Sequence, residues 1–266
     1  MKTLKKNIFI GIGVLLMLCS GVANAEIQTE AVRYQDGDVT LRGHLVWDDA
    51  IAGKRPGVIV VHEWWGLNDY ARKRARMLAE LGYAAFAIDM YGEGKITKHG
   101  KDAKAWMSQI TSNVHAWRKR AQLGLEMLKS RAIVDPDNIA AIGYCFGGAT
   151  VMQMAYAGLP LKGVASFHGS LPPASAEEAK SIQGQIFVAH GDDDGFVPAE
   201  RIAKFLDGLR VSGKAWQFTR YGGTKHSFTN PDADKAGIDG LGYNPIADKR
   251  SWAALQVFLG DIFASK

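Results

Sequence analysis

A short apolar run, Ile139-Ala140-Ala141-Ile142, ends in Gly143-Tyr144-Cys145-Phe146-Gly147-Gly148 and passes into Ala149-Thr150-Val151-Met152-Gln153-Met154-Ala155, which reads as a helix. No other stretch constrains the fold so tightly. A strand that turns into a helix around one residue leaves no room for bulk two positions before and two after the tip, and Gly143 and Gly147 meet that need. The pattern is that of a nucleophile elbow, with cysteine where serine commonly stands. Cys145 would occupy the tip, at the helix N-terminus, where the macrodipole favours an anion. The competing reading is a buried structural cysteine beside an ordinary glycine turn, and the motif alone does not choose between them.

The first residues follow a different logic. Lys2, Lys5 and Lys6 precede an apolar run from Ile8 to Leu18, and Ala23-Asn24-Ala25 closes it with small residues. This three-part arrangement predicts a cleaved secretory signal peptide over residues 1–25. The run is shorter than the roughly 20 apolar residues a membrane-spanning helix needs. Cys19 follows the bulky Leu18 rather than a small residue, so it is read as discarded with the signal and not as a lipid attachment site. Loss of the three lysines, with no acid among these residues, would lower the formal net charge from +5 to +2. No cluster of Lys and Arg interleaved with aromatics points to nucleic acid. The expectation is a secreted, periplasmic protein with no stable membrane association after cleavage.

Residues 26–266 would then carry one cysteine, Cys145, and no internal disulfide. An unpaired thiol in an oxidising compartment is either protected by burial or used chemically. A length of this order with nearly half apolar residues suits one domain with a substantial core, and a monomer is expected.

Apolar runs alternate with helical stretches along the chain, which predicts a mostly parallel, twisted α/β sheet with helices on both faces. Val39 to Trp47 alternates as a half-buried antiparallel edge strand. Gly57 to Val61 and Ala84 to Ile88 read as strands, separated by a helix from about Asp69 to Leu81. Apolar residues at three- and four-residue steps from Lys101 to Ser130 predict one long amphipathic helix or two broken ones. Val164–Phe167, Ile186–Ala189 and Ala215–Tyr221 read as further strands. Pro198–Leu209 reads as a helix with proline in its first turn, and Trp252 to Ile262 marks a terminal helix.

Ligands of open α/β sheets bind outside the carboxyl ends of the strands. Four loops should meet there: His62–Asn68, the elbow, His190–Pro198 and Gly222–Pro231. The third holds three consecutive aspartates, Asp192 to Asp194, and the fourth holds His226. Nucleophile, acid and base thus follow in the chain order of α/β-hydrolases. His62, His168 and His190 also fall at strand ends and could be structural or line a pocket. His44, His99 and His115 are expected to be solvated. His62-Glu63 is no zinc motif, because no second histidine stands three residues after the glutamate.

Gly143-Tyr144-Cys145-Phe146-Gly147-Gly148, the Asp194-Gly195-Phe196-Val197-Pro198 step and His226-Ser227-Phe228 together resemble the dienelactone hydrolase family, from about Val39 to the terminal helix. The resemblance implies a single-domain α/β-hydrolase fold over residues 26–266, a Cys145–Asp194–His226 triad, and neither metal nor organic cofactor. It also implies that Glu63 occupies a glutamate position close to the nucleophile, where a carboxylate gates the thiol; a loop-ordering charge is the alternative. Independently of the resemblance, a weakly ionised thiol needs a base or a positive field. His226 would supply the base, and Asp194 would hold its tautomer. The backbone N–H groups of Phe146 and Trp64 are candidates for an oxyanion hole.

Arginines that the family uses to bind a lactone carboxylate would fall near Gly92-Glu93 and Thr229-Asn230, and neither is present. Trp64, Trp65 and Tyr91 are expected to form an aromatic rim, with Phe228 and Asn230 completing the pocket. The loop from Asn230 to Ala247 is a candidate partial lid. The expected activity is hydrolysis of a small-molecule carboxylic ester or lactone through a cysteine thioester. A non-catalytic exported protein that binds a small molecule on the same fold is the rival reading.

Overall fold

The computed structural model describes residues 26–264, so the expected signal peptide over 1–25 lies outside the described residues. Eight strands form a single sheet: β1 (Ile27–Asp36), β2 (Val39–Asp48), β3 (Arg55–Val61), β4 (Ala84–Ile88), β5 (Val134–Tyr144), β6 (Gly163–Phe167), β7 (Gln185–Gly191) and β8 (Trp216–Tyr221). Their order is β1-β2-β4-β3-β5-β6-β7-β8. The first two strands are antiparallel to their neighbours, and β4 through β8 run parallel.

Val39–Asp48 is antiparallel as expected but is not the edge. Ile27–Asp36 pairs along its whole length with it and takes the outer position. Its polar sequence, Gln28-Thr29-Glu30 and Arg33, suits a strand that faces water and carries little hydrophobic signal.

The β-branched run in β3 explains the two-layer core. Val58 and Val60 point to one face, where they meet α1 (Asp69–Ala79) and α7 (Pro245–Ala264). Ile59 and Val61 point to the other, with α3 (Val114–Lys129), α4 (Phe146–Tyr156) and α6 (Ala199–Ser212). A strand covered on both faces has no reason to alternate polar and apolar residues, and this one does not. The 101–130 stretch is two helices, α2 (Gly100–Thr111) and α3, broken where Asn113 caps the second by accepting from Ala116 N–H. The remaining helix, α5 (Ala176–Ser181), is short and begins in a capping box between Ser175 and Glu178.

Every residue of α4 is buried, so this helix is apolar all round and sits inside the molecule. The chain passes from β3 to β4 on one side and then returns to β5 on the other. That reversal opens the crevice beside the carboxyl ends of β3 and β5, where the elbow lies.

Candidate active site

The elbow is built by sterics. Cys145 follows β5 with φ 55° and ψ −113°, in a region that non-glycine residues avoid. A Cβ on Gly143 would stand 2.0 Å from the Gly147 carbonyl oxygen, and one on Gly147 would stand 2.1 Å from that of Val61. Backbone cannot yield to such contacts. The helix therefore starts against the end of β3, which brings the 62–68 loop beside the cysteine. The N–H groups of Phe146 and Trp64 have no hydrogen-bond acceptor among the described residues.

His226 Nδ1 lies 2.7 Å from Asp194 Oδ2, and both side chains are almost completely shielded from water. Asp194 also accepts from the N–H of Phe196, which fixes the carboxylate within its own turn. Burial alone would lower the basicity of His226, but the neighbouring Cys145 sulfur and the Asp194 carboxylate outweigh it and raise its pKa to about 10. The imidazole is thus fixed against Asp194 and feels the charge of Cys145. The other two aspartates are engaged elsewhere: Asp192 pairs with Arg220 on the surface, and Asp193 N–H donates to the Thr224 carbonyl.

His226 is also pinned by backbone. Its N–H donates to Gly240 O, and its carbonyl accepts from Gly242 N–H, so the 237–242 segment of the candidate lid is tied to the histidine loop.

Glu63 is buried, and both its oxygens are taken. Oε1 accepts from Ser227 Oγ at 2.8 Å and Oε2 from Asn230 Nδ2 at 2.5 Å. Burial pushes its pKa up, against the pull of these two donors and of His226. No hydrogen bond joins Glu63 to Cys145 among the described residues.

A buried polar network on the far side of the nucleophile was not assigned from the sequence. Cys145 N–H donates to His168 Nδ1 at 3.1 Å as well as to the Phe167 carbonyl. His168 Nε2 lies 2.7 Å from Thr229 Oγ1, which also bonds the Tyr70 hydroxyl at 2.6 Å. Arg74 closes the chain by donating to Tyr70 Oη, to the Thr229 carbonyl and to Asp248. Burial, with the charges of His226 and Arg74 adding to it, holds His168 neutral, its pKa well below the ordinary histidine range. The one sequence signal was the placement of His168 at a strand end. Its φ of 37° is a tertiary feature that composition does not reveal.

The remaining pocket residues separate. Trp65 and Asn230 line a cavity of about 310 Å³ together with Tyr70, Lys98, Ser227 and Leu241. Trp64 is half-buried and packs on Trp65 at 4.8 Å. Tyr91 is only 3% exposed, so it forms no rim. Its ring stacks on Phe146 at 5.5 Å and meets the edge of His62 at 4.9 Å. Phe228 is fully buried behind His168 and faces the core rather than the cavity, because its ring fills the space between His168 and Tyr221. His62 is structural: its Nε2 accepts from Met90 N–H and its Nδ1 faces the Glu63 carbonyl, joining the loops after β3 and β4. No cluster of three potential metal ligands occurs among the described residues.

Comparison with known proteins agrees with this architecture. A crystal structure of a dienelactone hydrolase-like promiscuous phosphotriesterase from metagenomic libraries is 39% identical, with a TM-score of 0.87 over 90% of this chain and 99% of that one. A second solved structure, designated m3DLH, is 40% identical with a TM-score of 0.86 over 89% of this chain and 99% of its own. A putative carboxymethylenebutenolidase of Aquifex aeolicus is 28% identical over 215 residues, covering 76% of this chain and 87% of that protein. The family model described as the dienelactone hydrolase family matches residues 41–263, and with nearly the whole described chain inside that match, this α/β-hydrolase-fold enzyme belongs to the dienelactone hydrolase family.

Proposed function

We propose that the protein hydrolyses carboxylic esters or lactones through a thioester on Cys145, with His226 as the base and Asp194 as its orienting partner. The observation that carries this reading is the buried 2.7 Å pairing of His226 Nδ1 with Asp194 Oδ2, on an imidazole that also feels the charge of Cys145. Such an imidazole takes the thiol proton readily and leaves a nucleophilic sulfur at the helix N-terminus. Attack on the ester carbonyl forms the C–S bond and places a negative charge on oxygen, for which the N–H groups of Phe146 and Trp64, without a backbone acceptor among the described residues, are the candidate donors. Collapse expels the alcohol, protonated by His226. Water activated by the same imidazole then cleaves the thioester and restores the thiol.

A neutral rather than an anionic substrate is supported by the Thr229-Asn230 step, near which the family would offer an arginine and where Asn230 donates to Glu63 instead. Export to the periplasm through residues 1–25 is part of the same proposal; sequencing the N-terminus of protein recovered from the periplasmic fraction should find Glu26 first.

The central test is Cys145→Ala assayed on small aryl esters and enol-lactones, with intact-mass detection of an acyl adduct on the wild type. Loss of turnover together with an adduct confined to the wild type supports the thioester. Unchanged turnover in the variant ends it. The same assay with an aryl phosphotriester asks whether this chain shares the activity named for its 39% identical structural relative.

A further inference from the structure

Five buried side-chain polar atoms lack a hydrogen-bond partner among the described residues, and Tyr91 Oη is one of them. Leaving a buried hydroxyl unpaired typically costs about 1–3 kcal/mol, so such a group in a native site calls for a reason. The Tyr144 hydroxyl is on the opposite side of the elbow, where its ring packs on Tyr70 and Phe167 beneath Arg74. Ser166 Oγ is in contact range of Gly148 and Gly169, in the packing behind α4. Tyr91 differs from both in its surroundings.

Tyr91 leaves the end of β4 in the segment Asp89-Met90-Tyr91-Gly92, which is fastened at several points. Asp89 Oδ1 accepts from the N–H groups of Tyr91 and Gly92 at 2.9 Å each, and Met90 N–H donates to His62. The ring is then gripped by Phe146, His62 and Trp106 at 5.5, 4.9 and 5.9 Å. Phe146 is the residue after the nucleophile and His62 opens the loop that carries Trp64. The phenol ring is therefore held against the side chains that flank the nucleophile and open the Trp64 loop, the two segments that carry the candidate oxyanion donors. The charge that acts on the phenol is that of Cys145, and burial, acting first, together with this charge pushes its pKa far above the ordinary tyrosine range. A phenol so disfavoured as an anion cannot serve as base or proton source near neutral pH. It remains a neutral hydrogen-bond donor.

We propose that Tyr91 is a catalytic residue of the thioester reaction, its hydroxyl acting as a third donor to the oxygen that becomes negative when Cys145 attacks the carbonyl. The inference rests on the thioester reading above. Sulfur forms the bond to carbon, the carbonyl electron pair moves to oxygen, and the phenol keeps its proton while donating a hydrogen bond to that oxygen. When the intermediate collapses the pair returns, the alcohol departs with a proton from His226, and Tyr91 is again unpaired. A donor without a partner in the resting protein gains one as the charge develops, so it favours the transition state over the ground state.

The test is Tyr91→Phe, which removes one oxygen and keeps the stacked ring. With p-nitrophenyl acetate, kcat should fall by about 100- to 1000-fold with KM within about twofold, the range expected for loss of one oxyanion donor. Alkylation of Cys145 by iodoacetamide forms no oxyanion, so its rate should stay within about twofold of wild type. Unchanged kcat overturns the proposal, and so does a parallel fall in alkylation, which would assign the hydroxyl to the thiolate or to packing. A Cys145→Ala variant run alongside separates the two claims. If it keeps turnover, the thioester reading fails; if it is inactive while Tyr91→Phe is fully active, only the role of Tyr91 fails.

Discussion

The imidazole of His168 accepts a hydrogen bond from the backbone N–H of Cys145 at 3.1 Å, across 23 residues of sequence. It thereby braces the strained residue on which the proposed chemistry depends, and it can do so only as a neutral ring with Nδ1 unprotonated. A second consequence is thermodynamic. His168 titrates well below its ordinary value because it is buried and faces the positive charges of His226 and Arg74. Between the two values the unfolded chain binds the extra proton, so this residue makes stability fall as pH drops below about 6.5. Thr229, which bonds its other nitrogen, and Tyr70, which bonds Thr229, carry no charge that would offset this. His168→Asn keeps an acceptor without a titration. The slope of unfolding free energy against pH, measured by urea titration from pH 5 to 6.5, should be shallower in the variant by up to about one proton, or about 1.4 kcal/mol per pH unit. Identical slopes would remove His168 from this role.

The Asp194–His226 contact at 2.7 Å is buried and has no water-exposed substitute. Asp194→Asn should preserve the fold while offering a donor or a neutral oxygen to Nδ1, which weakens the base and favours the wrong tautomer. Ester turnover should drop by about 10²- to 10⁴-fold, with the far-ultraviolet circular dichroism unchanged. A loss below about threefold would mean that the carboxylate does not act on the imidazole.

Gly147→Ala places a methyl group 2.1 Å from the Val61 carbonyl oxygen, and no rotamer relieves it. The variant should lose about 3 kcal/mol or more, or fail to fold, because helix and strand must separate. Gly260→Ala is the matched control. Gly260 is exposed in α7 with open space around its Cβ direction, so the exchange should stabilise by about 0.5–1 kcal/mol. Thermal unfolding of the two variants reads both outcomes.

Glu63 draws its stability as a carboxylate from Ser227 and Asn230. Asn230→Ala leaves one buried oxygen unpaired and should cost about 1–3 kcal/mol at pH 7. Burial already raises the pKa of Glu63, and removal of a donor raises it further. A group whose folded pKa is raised contributes stability below its unfolded value and loses it as pH rises. The penalty of Asn230→Ala should therefore be smaller at pH 4.5 than at pH 7. An equal penalty at both values, from chemical denaturation, would show that Glu63 does not titrate with this bond.

Local sequence was enough for the elements whose cause is local. Gly143 and Gly147 are demanded by contacts within a few residues of Cys145 and against one adjacent strand, so the turn was legible before any fold was known. The β-branched run of β3 and the wholly apolar run of β4 carried their own burial, and the chain order of Cys145, Asp194 and His226 placed three loops at one end of the sheet. What tertiary structure alone decided are the partners drawn from distant elements: β1 on the outer edge, Glu63 held by Ser227 and Asn230, and the His168–Thr229–Tyr70–Arg74 network. The rim assigned to Tyr91 and the pocket assigned to Phe228 fall in the same class. Whether an aromatic ring faces water or a neighbour depends on which helix packs over it, and neither α2, which brings Trp106 to Tyr91, nor the packing around His168 leaves a periodic trace at those positions. Hydrogen bonds and ring contacts across more than a hundred residues follow from the closing of the sheet, and only the closed sheet displays them.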